Sequence, residues 1–332
     1  ARMGLSVVGS CGVPTITVPP VAGPVCGGST VGAAVGDALG MPLEFQRPRP
    51  IYDLLTEMVD ATLPAGTFTD DTEMALALAQ SLLHHSPLDM DDLAERFTAW
   101  FRSGPSDIGF HTSRVLNLID TGIHWNEASR RVQQANQGSA SNGSLMRCWP
   151  VALAHWKDPR QLIKDSRAQS EMTHTHPDCV CACVLVNLVL QQLVYRPDDA
   201  PPDAALRDAV ASALEQVSLD EDFRLVVTLA PVRGRNELPN SGWVRHTLES
   251  ALWAVLTTRS FEEALVQAVN LGNDADTTGT VAGAIAGALY GLEQIPARWK
   301  EALRGEYPLH SGQQWHLAEM VALADQLASL SG

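Results

Sequence analysis

The sequence predicts an all-α fold: one compact multi-helix domain over residues 27–332, preceded by an extended N-terminal arm over residues 1–26. Three observations carry this. Apolar residues recur at i, i+3, i+4 and i+7 through most of the chain, whereas period-two alternation is scarce. Two segments place glycine at every fourth residue, Gly32, Gly36 and Gly40 near the start and Gly279, Gly283, Gly287 and Gly291 near the end. The first residues, with "VPTITVPPVAGPV", are β-branched and proline-rich, which favours extended chain.

The elements follow in order. "STVGAAVGDALG" puts Val31, Ala34, Val35, Ala38 and Leu39 on one helix face. Its glycines, and those after Asp276, each cost about 1 kcal/mol of helix propensity relative to alanine. Close backbone approach between two central helices is the compensation expected. "GTFTDDTEMALALAQSLLHH" (66–85) gives the next helix, with Met74, Leu78 and Leu82 four residues apart. Further helices are expected at 89–102, 112–121, 126–136, 160–171, 178–195, 203–217, 244–257, 261–270, 297–304 and 312–330. Connections are mostly short and rich in Gly, Pro, Asn and Asp, and "YRPDDAPPDAAL" (195–206) reads as a loop within the domain. The arm is a strap on its own domain, a loose tail, or a segment that docks into another protein.

A length of 332 residues with 45% hydrophobic side chains supports a full core. The excess of 38 acidic over 23 basic groups argues against a nucleic-acid backbone as main partner and suits a cationic one. Cys11, Cys26, Cys148, Cys179, Cys181 and Cys183 lack CxxC spacing, which favours small buried hydrophobes in a reducing cytoplasm over zinc ligands. Pro14, Pro19, Pro20 and Pro24 break up the N-terminal stretch, unlike a signal peptide. The run 279–292 is shorter than the roughly 20 apolar residues a bilayer needs. The expectation is a soluble, cytoplasmic, bacterial-type protein with no membrane partner.

Two acidic helix entrances carry the chemistry. Thr69, Asp70 and Asp71 precede one apolar helix, and Asp274, Asp276, Thr277 and Thr278 precede another. Acids are ordinary at helix N-termini, and Asp70 with Glu73 can close a capping box. The repetition points instead to a shared task. Carboxylates and hydroxyls without His or Cys favour Mg²⁺ or Mn²⁺. If the two helices lie side by side, their carboxylates repel unless metal or protons neutralise them. Two cations about 3.5–4 Å apart satisfy the count. Glu44 is either a surface residue or a third source of carboxylate, and Asp37 is either structural or catalytic. Asp107 reads as a cap for the helix entered at Gly109. "QGSASNGSLMR" (137–147) is either an anion-binding loop with small residues before a helix, or an ordinary polar loop. His174 and His176 read as a helix-start pair before Pro177.

In chain order, "GAAVGDALGMPLEF", "GTFTDDTEMALALAQSL", "SDIGFHTSRVL", "SNGSLMRCWPVAL", "EMTHTHPD" and "NLGNDADTTGTVAGAIAGALYG" resemble the ADP-ribosylglycohydrolases, in the dinitrogenase-reductase-activating branch. The motifs span about residues 27–292. The resemblance implies a binuclear Mg²⁺ or Mn²⁺ site held by Thr69, Asp70, Asp71, Asp274, Asp276 and Thr277. It makes Glu44, Asp71 and Asp107 the catalytic carboxylates, and places Asn142, Gly143, Ser144, Arg147 and His174 around ADP-ribose. Asp107 matches the DIG motif of the arginine-specific branch, where a carboxylate can pair with a guanidinium through two hydrogen bonds. The implied reaction is hydrolysis of ADP-ribosylarginine in a modified protein. The arm resembles the layout of immunity proteins, which implies a cognate ADP-ribosyltransferase toxin as a second partner. Hydrolysis of another ADP-ribosyl linkage, or occlusion of a toxin by the arm alone, are the alternative readings.

Overall fold

Fifteen α-helices run through the computed structural model, which describes residues 22–196 and 200–331. The first half holds α1 (Ala22–Gly40), α2 (Asp70–His84), α3 (Met90–Arg102), α4 (Phe110–Asp120), α5 (Trp125–Ala135), α6 (Trp149–Ala154) and α7 (Pro159–Glu171). The second holds α8 (Pro177–Val194), α9 (Pro202–Gln216), α10 (Glu221–Leu229), α11 (Val244–Leu256), α12 (Phe261–Val269), α13 (Ala275–Tyr290), α14 (Ala297–Ala302) and α15 (Leu317–Ser329). The arm lies outside the described residues up to position 21, and the chain is already helical from Ala22.

The glycine ridges decide the centre of the molecule. α1 and α13 pack antiparallel, with Gly28, Gly32 and Gly36 laid against the carbonyls of Gly287, Gly283 and Gly279. A Cβ added at any of these six positions would come closer to the facing carbonyl oxygen than real Cβ atoms do. Each glycine thus gives up helix propensity, and the pair regains it in contact that no larger residue permits. The pairing continues to Gly40, which abuts Ala275 and Asp276. One end of α1 is thereby fixed beside the start of α13.

α8 is apolar enough to invite another interpretation. Its 18 residues have a mean hydropathy of 1.7, yet 83% of them are buried inside the protein. Asn187 donates to the Ser166 hydroxyl and Gln191 to the Trp156 carbonyl, contacts of a core helix. Cys148, Cys179 and Cys183 are buried around it, Cys26 is buried on α1, and Cys181 is half-buried. All five are free thiols.

Periodicity missed two helices, α6 and α10, and overextended another. α10 was not expected; Asp220 caps it by accepting from the Phe223 N–H. The helix expected over 312–330 begins only at Leu317, because Gln314–Trp315 pairs antiparallel with Gly305–Glu306. Gly305 lies against the Phe68 ring with no room for a side chain, so this hairpin packs tightly on the entrance to α2.

Candidate active site

Asp37, near the C-terminal end of α1, builds the entrance to α2. It is fully buried. Its carboxylate accepts from the backbone N–H groups of Thr69 at 3.0 Å and Thr72 at 3.1 Å. It also accepts from the Thr69 and Thr72 hydroxyls at 2.8 and 2.6 Å. The cap of α2 therefore comes from another helix. The alternative of an Asp70–Glu73 capping box does not form; Glu73 instead accepts from the Trp100 indole N–H at 2.7 Å. With the Thr69 and Thr72 N–H groups satisfied by Asp37, Asp70 and Asp71 are free of capping duty.

They turn into a cavity of about 390 Å³, which Glu44, Asp107, Asp274, Asp276 and Thr277 also line. Oxygens of Glu44, Asp107 and Asp276 lie within 4.8 Å of one another. Asp107 caps nothing: Gly109 occupies the N-cap of α4 without a side-chain bond. None of these carboxylates forms an ion pair among the described residues, and their electrostatics show the strain. Burial, then the charges of Asp107, Asp274 and Asp37, push Glu44 up to about 8. Burial followed by neighbouring carboxylates also raises Asp70, Asp71 and Asp276.

The donor set fits hard divalent cations. It is all oxygen. Asp71 Oδ2 is buried with no hydrogen-bond partner, an orphan that a cation would satisfy. Thr69 gives its hydroxyl proton to Asp37 and so keeps lone pairs for another electrophile.

The opposite wall is the 137–147 loop. Asn142 donates to Asp274 at 2.9 Å and to Thr247 at 2.7 Å, tying the loop to the acidic wall. Gly143 lies directly over the His174 ring, where a Cβ would stand 3.0 Å from Cε1. Ser144, Arg147 and His174 do not line the cavity. Ser144 bonds Ser170 at 2.9 Å, while Arg147 is wholly buried, stacked on Phe97 and bonded to Gln169 and Thr173. His174 is buried with its two ring nitrogens on Thr173 and Ser141. His176 alone serves the helix start, accepting from the Asp178 N–H.

The family model for ADP-ribosylglycohydrolases matches residues 26–331. The chain belongs to that family. It is 34% identical over 283 residues to the ADP-ribosyl-[dinitrogen reductase] glycohydrolase of Rhodospirillum rubrum, covering 83% of this chain and 89% of that protein. It is 32% identical over 287 residues to the ADP-ribosylarginine hydrolase Tri1 of Serratia proteamaculans, covering 83% and 74%. A solved structure titled "ADP-ribosylglycohydrolase-related protein complex" superposes with a TM-score of 0.75 at 33% identity, covering 94% of this chain and 99% of the other.

Among the residues that line the cleft of this glycohydrolase and that sequence reasoning did not single out are His111, Ser139 and Ser141. The signal for the serines was present, since Ser139 and Ser141 alternate with buried Ala140 as an extended segment would. His111 stands four residues after Asp107, but the partner that explains it is distant in sequence. Its ring stacks on His174 with centroids 4.5 Å apart, and Nε2 donates to the Thr173 carbonyl at 2.9 Å.

Burial pushes both imidazoles below the ordinary histidine value, with Arg114 adding to the effect at His111, and with His111 and Arg147 adding to it at His174. The folded rings stay neutral where the unfolded chain, with histidine near 6.5, takes up protons. Their contribution to stability is therefore fully present above the unfolded histidine value of about 6.5 and is lost as pH falls below it, most strongly for His174, whose value burial holds furthest down. Urea unfolding at pH 7, 6 and 5 tests this: the stability advantage of wild type over His174→Gln should shrink as pH falls. An advantage that stays constant would mean that the folded ring takes up its proton as readily as the unfolded chain does, and one that grows would mean that the fold favours the charged ring.

Proposed function

We propose that the protein is an ADP-ribosylarginine hydrolase that works with two divalent cations, Mg²⁺ or Mn²⁺. The observation that carries this is Asp107 grouped with Glu44 and Asp276 within 4.8 Å in the cleft, beside Asp70, Asp71 and Asp274. The printed name of the Serratia relative supports the same linkage. Thr69, Asp70, Asp71, Asp274, Asp276 and Thr277 would hold the cations, with Asp71 offering its unpartnered Oδ2. When bound, they supply positive charge that orients ribose hydroxyls and makes a water more acidic.

The remaining work falls to the chain's own side chains. Asp107 pairs with the guanidinium of the modified arginine, a planar contact that a serine linkage would not return. That positive charge lowers the proton affinity of Glu44 beside it, which frees Glu44 to take a proton from the attacking water. The water oxygen bonds to ribose C1″, the electron pair of the C1″–N bond leaves with the guanidine, and Glu44 returns the proton to that nitrogen. Asn142 and Gly143 hold ADP-ribose against the acidic wall, while Ser144, Arg147 and His174 support that loop from behind.

Release of ADP-ribose from an arginine-modified and a serine-modified protein, each with Mg²⁺, Mn²⁺ or chelator, tests the reading. Metal-dependent release from arginine alone is expected. Release from serine alone, or undiminished release in chelator, overturns it. A toxin-directed role for the arm read over residues 1–26 is tested on its part before α1, residues 1–21. Deleting those residues should abolish binding to an ADP-ribosyltransferase toxin and spare hydrolysis.

A further inference from the structure

A cleft walled by carboxylates has to accept a ligand that carries a diphosphate, yet among the described residues no lysine or arginine lines it. Behind its wall stands Arg147, which is fully buried and, among the described residues, hydrogen-bonds no carboxylate. From it a chain of hydrogen bonds runs to the cleft. Arg147 Nη2 lies 2.8 Å from Thr173 Oγ1, which lies 2.7 Å from His174 Nδ1; His174 Nε2 lies 2.9 Å from the hydroxyl of Ser141 on the cleft surface.

Only one assignment of protons satisfies every member. Arg147 has no lone pair to offer, so Thr173 Oγ1 accepts from it and keeps its own proton to donate. His174 Nδ1 is the acceptor within reach. The ring then carries its proton on Nε2 and donates to Ser141, whose hydroxyl proton must turn away from the ring and into the cleft. The reverse direction strands the Thr173 proton in a site with no exposure, which costs about 1–3 kcal/mol. A doubly protonated ring is disfavoured by burial and by the adjoining Arg147 and His111.

We propose that Thr173 is a positioning residue: it fixes the His174 tautomer, and so presents the Ser141 hydroxyl as a hydrogen-bond donor to a phosphate of the ligand. The buried charge of Arg147 polarises the chain in the same sense, which strengthens that donor without placing a cation among the carboxylates. The phosphate half of this inference rests on ADP-ribose being the ligand; the tautomer half does not.

The experiment combines ¹⁵N–¹H spectroscopy of the His174 ring with titrations of ADP-ribose and adenosine. Wild type should show the Nε2–H tautomer, and Thr173→Val should populate Nδ1–H. Thr173→Val and Ser141→Ala should each weaken ADP-ribose about tenfold, with adenosine unchanged and no further loss in the double variant. Thr173→Ser should restore both tautomer and affinity. An unchanged tautomer in Thr173→Val, or additive losses, overturns the relay. A switched tautomer with undiminished ADP-ribose binding in Ser141→Ala overturns the phosphate contact. If wild type binds no ADP-ribose, the proposed function fails while the tautomer still decides the relay; should Thr173→Val not fold, Thr173→Ser and Ser141→Ala still carry the test.

Discussion

Asp276→Asn should abolish ADP-ribose release while making the metal-free protein at least as stable as wild type. The amide keeps the carboxylate's shape and can still accept from the Thr277 N–H, which Asp276 does at 2.8 Å. It loses a charge that burial, Asp71, Asp274 and Glu44 all oppose. A divalent cation contributes several kcal/mol of transition-state stabilisation, so losing it slows turnover by about a thousandfold or more. Melting curves with and without Mg²⁺ separate this from a folding defect. Mg²⁺ should raise the melting temperature of wild type and leave that of Asp276→Asn where it was. Full activity in the variant, or the same Mg²⁺ response in both, would remove Asp276 from the metal site.

Gly36→Ala should destabilise the fold by about 3 kcal/mol, although alanine is the better helix former by about 1 kcal/mol. The added methyl would run into the Gly279 carbonyl, and backbone has no rotamer by which to yield. α1 and α13 must separate, which also pulls Asp37 and Glu44 away from Asp276 and weakens metal binding. Gly27→Ala is the control on the same helix: its methyl would meet only the Leu292 side chain at an ordinary 3.6 Å. There the helix-propensity gain should prevail and stability should rise slightly. Urea midpoints for the two variants decide the matter; equal midpoints would show that the helices are not in backbone contact.

The elements that sequence reading placed well are those with local causes. α3, α7, α8, α11 and α12 begin and end within a residue or two of their expected limits, because apolar periodicity and flanking Asp, Pro or Ser residues act within one turn. α10 escaped although Phe223 and Val227 make a buried i, i+4 pair behind the Asp220 cap, and the start of α15 was misplaced because a two-residue strand pairing set it. Similar limits apply to the site. The acids were legible as two helix entrances, but their ordinary alternative, an Asp70–Glu73 box, could be set aside only in the fold, where the cap comes from Asp37, 32 residues before Thr69.

By itself the sequence determined the all-α class, the contact of two glycine-ridged helices, the oxygen-only donor set and the family, since these rest on residue type at short spacing. Only the tertiary structure decided that Asp37 is a cap, that Asp107 is grouped with Glu44, that His111 stacks on His174, and that Ser144 and Arg147 stand behind the cleft. The physical reason is that a side chain's role follows from what faces it. Short spacing specifies which groups a helix carries, whereas the crossing of α1, α2 and α13 specifies which groups meet. Buried polar atoms must then find partners there, however far away along the chain those partners lie.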